Sequence, residues 1–402
     1  MAKDYKVRAT YCYHRASEDE IYASLKRATD PLDRSWEKLG AADRIVLKFN
    51  MMKLPDSLHY FAGRRRELVD EAVCRSVLKL LKERTTAKLI VTDTNPYNRE
   101  THLMGDDFNY AHILREYDAE FVDSNAEPIR SYDVPGGGLM FDRYQLSGCF
   151  EGAEVVSVSK MKNHLFMGVT LCMKNLFGLP PITPPKGRLR SYYHHFIRLS
   201  YVLPDLGMIT NPCLNIVDAL TGQWGREWDG EGRICDALIA GDQVTATDAC
   251  GTALMGHHPA SDWPTPPFRR DRNHLLIAAR HGFGTVNLDE IDFESEVEGP
   301  LAEFDSEATD SEGTVESWRR TTCEQALVYR DRSSSLIDKH RNEFIFLQDG
   351  DVVWSGSDPS NLGSRRKLSG DKKDQAMWLK LVDPDEVEGE RFASYEECLN
   401  VA

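Results

Sequence analysis

The chain reads as an α/β protein built on a mostly parallel, doubly wound sheet in one or two lobes, with a small β-containing extension at its C-terminal end. Three observations predict this. Short β-branched runs recur between polar turns, amphipathic helical stretches separate them, and 41% of the 402 residues are hydrophobic, enough for a core without disulfides or metal staples.

The elements follow in order. RIVLKFN at 44–50, KLIVTDTN at 88–95 and EVVSVSK at 154–160 have the composition of buried strands. Between the first two, ELVDEAVCRSVLKLLKER puts Val69, Val73, Val77 and Leu80 on one helical face, which predicts a βαβ crossover. Gly136, Gly137 and Gly138, between SYDVP and LMFDRY, predict a hairpin turn in preference to a phosphate cradle. LNIVDAL at 214–220 and DALIAGDQ at 236–243 predict later strands, the second followed by a helix around VTATDACGTALMG. Residues 1–300 are read as one domain, with lobes at about 1–150 and 151–300.

Beyond lies a change in composition. From Asp289 to Glu316 there are twelve acids and no Lys or Arg, which predicts a solvated loop or a helix-bearing linker. Residues 301–402 are therefore read as an acidic linker and a small extension. In it EFIFLQDGDVVWSG carries an Asp-Gly hairpin turn, and AMWLKLVD supplies a further strand. SRRKLSGDKK at 364–373 predicts an exposed basic loop, with Ser369 as a lesser candidate for regulation.

Composition narrows the function. A net charge of −15 argues against general nucleic-acid or anionic-membrane binding, which needs a broad positive surface. No apolar run reaches the length of a membrane span, and the charged N-terminus lacks a targeting h-region. The nine cysteines are odd in number, scattered and never in a CxxC pair, as expected of reduced thiols in a cytoplasmic protein without iron–sulfur cluster or zinc ribbon. With no Walker A loop, GxGxxG, GxSxG or kinase motif, ATP, NAD and serine-hydrolase chemistry all lose support.

The strongest local signal is KMKNHLFMGVTLCMKNLFG at 160–178, inside an acid-free segment. From Val155 to Pro204 there are seven Lys/Arg, three His and no Asp or Glu. Ligands of open α/β sheets bind beyond the carboxyl ends of the strands. The predicted ends carry Lys48 and Asn50, then Asp93, Thr94 and Asn95, then Lys160 and Lys162, then Asp218 and Asp242. Beyond Lys162 come His164, Gly168, Thr170, Lys174, Asn175 and Gly178. Lysines set among Leu165, Phe166, Met167 and Val169 with no nearby acid need distant carboxylates or an anionic ligand. The following PPKGRLRSYYHHFIR adds Lys186, Arg188, Arg190 and the neighbours His194 and His195, which point to different faces, so at most one reaches such a pocket. His257 and His258 read as loop residues. A divalent metal on His164, one of His194 and His195, and Asp218 is a further option, without HxxxH or HExxH spacing to support it.

The ordered blocks LKFN, VTDTN, KMKNH, GVTLCMKNLFG, IVDAL, AGDQVTATDACGTALMG and ARHGFG resemble the family known as domain of unknown function DUF362, over about residues 40–290. The resemblance places Lys48, Asn50, Asp93, Lys160, Lys162, His164, Thr170, Lys174, Asn175, Gly178, Lys186, His194 or His195, Asp218, Asp242 and Asp248 on that family's polar positions. The resemblance implies a fold neighbourhood more than a reaction. Many members carry ferredoxin-like iron–sulfur motifs that this chain lacks, and TGQWGREWDGEG replaces a shorter turn, with Trp224 and Trp228 offering stacking surface.

The expectation is an enzyme that holds a small carboxylate or phosphate on Lys48, Asn50, Asp93, Lys160, Lys162, Thr170, Lys174, Asn175, Lys186, Asp218 and Asp242. His164, His194 and His195 are the proton-transfer candidates for isomerase, lyase or cyclase chemistry. The alternative is a non-catalytic metal- or cofactor-binding or redox-accessory protein. The expected partner is a small anion, with no nucleic acid and no membrane; a homo-oligomer is left open.

Overall fold

The computed structural model describes residues 3–51, 53, 57–94, 110–182, 190–358 and 376–401. Strand β1 (Tyr5–Tyr11) is followed by helices Glu18–Thr29 and Asp33–Ala41 and then β2 (Arg44–Phe49). The hairpin β3 (Tyr60–Phe61) and β4 (Arg64–Arg65) leads into helix Glu71–Arg84, whose first turn Asp70 caps by accepting from the Ala72 N–H. Next come β5 (Lys88–Asp93), β6 (Glu120–Asp123) and the antiparallel hairpin β7 (Ile129–Asp133) and β8 (Arg143–Ser147), which the glycine triplet joins as its composition predicts. β9 (Glu154–His164) folds back as β10 (Gly168–Thr170), and helices Cys172–Asn175 and Arg198–Thr210 lead to β11 (Leu214–Trp224) and β12 (Glu231–Gly241). Helices Val244–Leu254 and His274–Arg280 precede β13 (Ile291–Ser295).

Nine of these strands form one sheet, ordered β13-β1-β12-β11-β9-β2-β5-β6 with β10 paired to β9, while β3 with β4 and β7 with β8 make separate two-stranded sheets. β11, β9, β2, β5 and β6 run parallel, whereas β12 is antiparallel to both its neighbours. The chain winds outward from β2 to β5 and β6, then crosses back to β9 and β11. The two windings therefore part between β2 and β9, the usual place for a ligand crevice in a sheet of this kind.

Alternation sends side chains to two cores. Ile45, Leu47 and Phe49 of β2 join Val156 and Val158 of β9 under the N-terminal helices. Val46 and Met161 point the other way, into the core that holds Val202, Leu206 and Leu276. β9 outruns β2: their pairing ends at Phe49 opposite Val158, and β9 continues to His164.

The acidic stretch is partly ordered. It supplies β13 and enters the 29-residue helix Glu312–His340, which Ser311 caps through the Thr314 N–H. β14 (Phe344–Gln348), β15 (Asp351–Gly356) and β16 (Trp378–Leu381) make a small antiparallel sheet with the expected Asp349-Gly350 turn. This part shares the core of the main body: Phe344 lies 6.2 Å from the Tyr192 ring, and buried Arg198 donates from Nε to Glu390 at 2.9 Å. Ser369 and its basic loop lie outside the described residues.

Candidate functional site

A cavity of about 210 Å3 opens where β2 ends and β9 continues. Lys48 reaches it from one face of the sheet and Lys162 from the other. The two faces meet there because β2 has stopped.

The floor is a closed network. Lys48 donates from Nζ to Phe49 O at 2.7 Å and to Asn175 Oδ1 at 3.0 Å, and lies 3.0 Å from Asp93 Oδ1. All three ammonium hydrogens are thereby engaged, and burial lowers the Lys48 pKa although Asp93 opposes the shift. Asn175 clamps the two strands together, donating from Nδ2 to Lys48 O at 2.8 Å and Val158 O at 3.2 Å. Gly178 closes the network: a Cβ there would stand 2.6 Å from Lys48 Cε and 2.7 Å from Asp93 Oδ1. Lys48, Asp93 and Asn175 thus build the floor of the cavity, bound to one another.

Three cations line the walls. Lys162 donates to two backbone carbonyls, Glu67 O at 2.8 Å and Glu227 O at 3.2 Å, and lies 4.5 Å from the centre of the Trp228 ring. Burial brings its pKa down to about 7, against the pull of Glu67 and Glu227. Half-buried Lys174 has no hydrogen bond or ion pair among the described residues, only the Phe177 ring 5.0 Å away, and burial lowers its pKa to about 8. Arg190 leaves Nη1 buried without a partner, as do Asn50 at Oδ1 and Thr170 at Oγ1. Orphaned polar atoms are costly when dry, and here they gather around one cavity.

The histidines differ. His164 Nδ1 accepts from the backbone N–H groups of Phe166 at 3.1 Å and Met167 at 3.2 Å, so its lone pair is committed and the proton sits on Nε2. That nitrogen lies 3.5 Å from Glu227 Oε1, while Glu227 Oε2 accepts from Leu165 N at 3.1 Å. Burial and neighbouring Lys174 hold His164 neutral, its pKa well below the usual value. His194 sits 5.9 Å from the His164 ring and 5.3 Å from Phe177. No hydrogen bond from another residue engages its ring among the described residues, and burial next to Lys174 lowers its pKa to about 3.

Other expected residues lie elsewhere. Lys160 stands beside Asp218 on neighbouring parallel strands, and the two form a fully buried pair at 3.1 Å, with Thr221 Oγ1 also 3.1 Å from the ammonium. Asp218 further accepts from the N–H of Asp70 at 2.8 Å and of Leu220 at 3.1 Å, so it braces the sheet and does not join the histidines around a metal. Asp242 is a correction of direction. Because β12 runs antiparallel, its carboxyl end lies level with Asn215, at the opposite edge of the sheet. There Asp242 accepts from Lys6 N at 3.0 Å and pairs with Arg34 at 2.9 Å. Asp248 caps helix Cys172–Asn175, accepting from the Cys172 and Met173 N–H groups at 2.9 and 2.7 Å. His195 lines a neighbouring cavity, which His194 reaches as well. His257 donates from Nε2 to Phe304 O, 2.8 Å away. Lys186, Arg188 and Asn95 lie outside the described residues.

Sequence reasoning passed over Glu227 and left Arg190 out of its site. Both line the cavity, as does Trp228, which its aromatic character did suggest. Among the described residues, His59, Glu67 and Asp229 bring ligand atoms within 4.8 Å of one another. Lys53 hydrogen-bonds Glu67 there, and Arg66 Nη2 lies 2.9 Å from His59 Nδ1, so cations already occupy the acidic cluster.

A doubly wound α/β protein with a cation-lined cavity at its switch point is the class that this fold and site define. The chain belongs to the family described as domain of unknown function (DUF362), whose sequence signature matches residues 45–253. It is similar to the thylakoid-associated protein sll1697 of a Synechocystis species, at 23% identity over 270 residues, covering 65% of this chain and 77% of that protein. Among the described residues, no helix is long and apolar enough to cross a membrane.

Proposed function

We propose that the protein is an enzyme that holds a small carboxylate or phosphate metabolite in this cavity and moves a proton on it, in chemistry of the isomerase, lyase or cyclase type. One observation carries the reading. Lys162, Lys174 and Arg190 line a single cavity, and no carboxylate hydrogen-bonds any of them among the described residues. An anion would satisfy all three and raise their pKa values toward normal.

The proton-transfer group that fits best is Lys162. Two of its three positions are fixed on carbonyl oxygens, which leaves one hydrogen for the ligand, so Lys162 would give a proton to the anion that it holds. His194, with its ring free, is the second candidate. His164 is a donor that positions Glu227, not a base. The scattered free cysteines favour the cytoplasm; the thylakoid association in the relative's name makes attachment to a membrane surface the competing location.

Calorimetric titration with sulfate tests the binding step. Saturable binding that Lys174→Met weakens about tenfold or more is expected, whereas no binding at neutral pH, or binding indifferent to Lys174, sinks the reading. Ligand retention without turnover of any anionic metabolite would make it a binding protein.

A further inference from the structure

A second cavity, of about 470 Å3, adjoins the first, and His194 lines both. Its walls include Phe196, Arg270, Trp318 and Thr322. The Arg270 guanidinium carbon lies 3.6 Å from the centre of the Phe166 ring and 5.3 Å from that of Phe196. Its side chain is 17% exposed, and Nε is buried with no partner. The nearest carboxylate oxygen, on Asp271, stands 3.9 Å from Nε, beyond hydrogen-bonding reach. No other hydrogen bond engages this guanidinium among the described residues.

The two cavities are lined in continuity. Lys174 lies 5.0 Å from the Phe177 ring, Phe177 5.3 Å from His194, His194 6.2 Å from Phe166, and Phe166 carries Arg270. One wall thus has cations at both ends and rings between them. With Asp271 at 3.9 Å from Nε and Asp310 on the same cavity wall as its neighbouring acids, the guanidinium still has N–H groups that no acceptor takes among the described residues, and its planar fork matches a carboxylate. A ligand with one acidic group would fill the first cavity and leave this fork unpaired.

We infer that the two cavities together take one ligand with two acidic groups, a dicarboxylate or phosphocarboxylate. The first group sits among Lys162, Lys174 and Arg190, the second is a carboxylate on Arg270, and His194 lies against the carbons between. The inference rests on the anion reading of the first cavity and adds the second recognition point.

Calorimetry on the full chain separates the two claims. The probes are sulfate, straight-chain dicarboxylates from succinate to suberate, and monocarboxylates of equal length. At least one dicarboxylate is expected to bind about tenfold or more tightly than its monocarboxylate, as one charge-assisted forked contact provides. Arg270→Met should erase that advantage and leave sulfate affinity unchanged; Arg270→Gln repeats the measurement if the Met variant does not fold. Sulfate binding that depends on Lys174, with no dicarboxylate advantage or with one that survives loss of Arg270, overturns the two-headed ligand and leaves the anion site standing. Failure of sulfate and every carboxylate to bind overturns both.

Discussion

His164 and Glu227 face each other at 3.5 Å, Nε2 to Oε1, with the far side of the imidazole fixed by two backbone N–H groups. The carboxylate therefore faces a neutral imidazole and sets its charge near Lys162. Glu227→Gln retains an acceptor for Leu165 N and removes that charge. Sulfate affinity should rise about fivefold, the order of one partly screened charge pair near 1 kcal/mol, measured by calorimetry. Nitrogen NMR should find His164 neutral and protonated on Nε2 well below the usual histidine pKa; an imidazolium at pH 6 contradicts the assignment.

Lys174 is a cation without a partner and so weakens the empty protein. Lys174→Met should abolish most sulfate binding while raising the unfolding free energy of the apo protein by about 1 kcal/mol, seen in urea titration at neutral pH.

Ligand affinity should fall as pH rises. Lys162 at about 7 and Lys174 at about 8 lose their protons through this window, while sulfate keeps its charge. Apo stability should move the other way. The unfolded lysines hold their protons to about 10.4, so the unfolded chain binds more protons than the folded one and stability rises with pH between the folded and unfolded values. Calorimetry and urea unfolding across pH 6.5 to about 9 test both signs.

Lys160→Met leaves the Asp218 carboxylate buried with only its backbone donors. A loss of about 3–5 kcal/mol is expected, with sulfate affinity unchanged in whatever fraction stays folded. A specific loss of binding would return Lys160 to the site.

Gly178→Ala forces a methyl against Lys48 and Asp93. About 1–3 kcal/mol of stability and the shape of the cavity floor should be lost together, checked by unfolding and by sulfate titration on the same protein.

The sequence made the parallel strands, the switch-point location and the acid-free cationic segment legible, because β-branched runs and charge asymmetry are local. It did not separate Lys160 from Lys162. Both point to one side of β9, but β11 runs alongside Lys160 with Asp218, and beyond it the pairing register shifts. Asp242 was misplaced because the direction of a strand is decided by its neighbours, not its composition. Glu227 and Arg190 reach the cavity only through tertiary folding, and nothing around either marks it as facing a particular lysine.

Glu227 and Trp228 sit between paired β11 and β12, on the tip that connects two strands paired as far as Trp224 opposite Glu231. That tip can be lengthened, shortened or exchanged without moving the sheet or the Lys48 network beneath it. Selection can therefore revise what enters the cavity one connector at a time, and relatives with a shorter turn would keep the same foundation under a different roof.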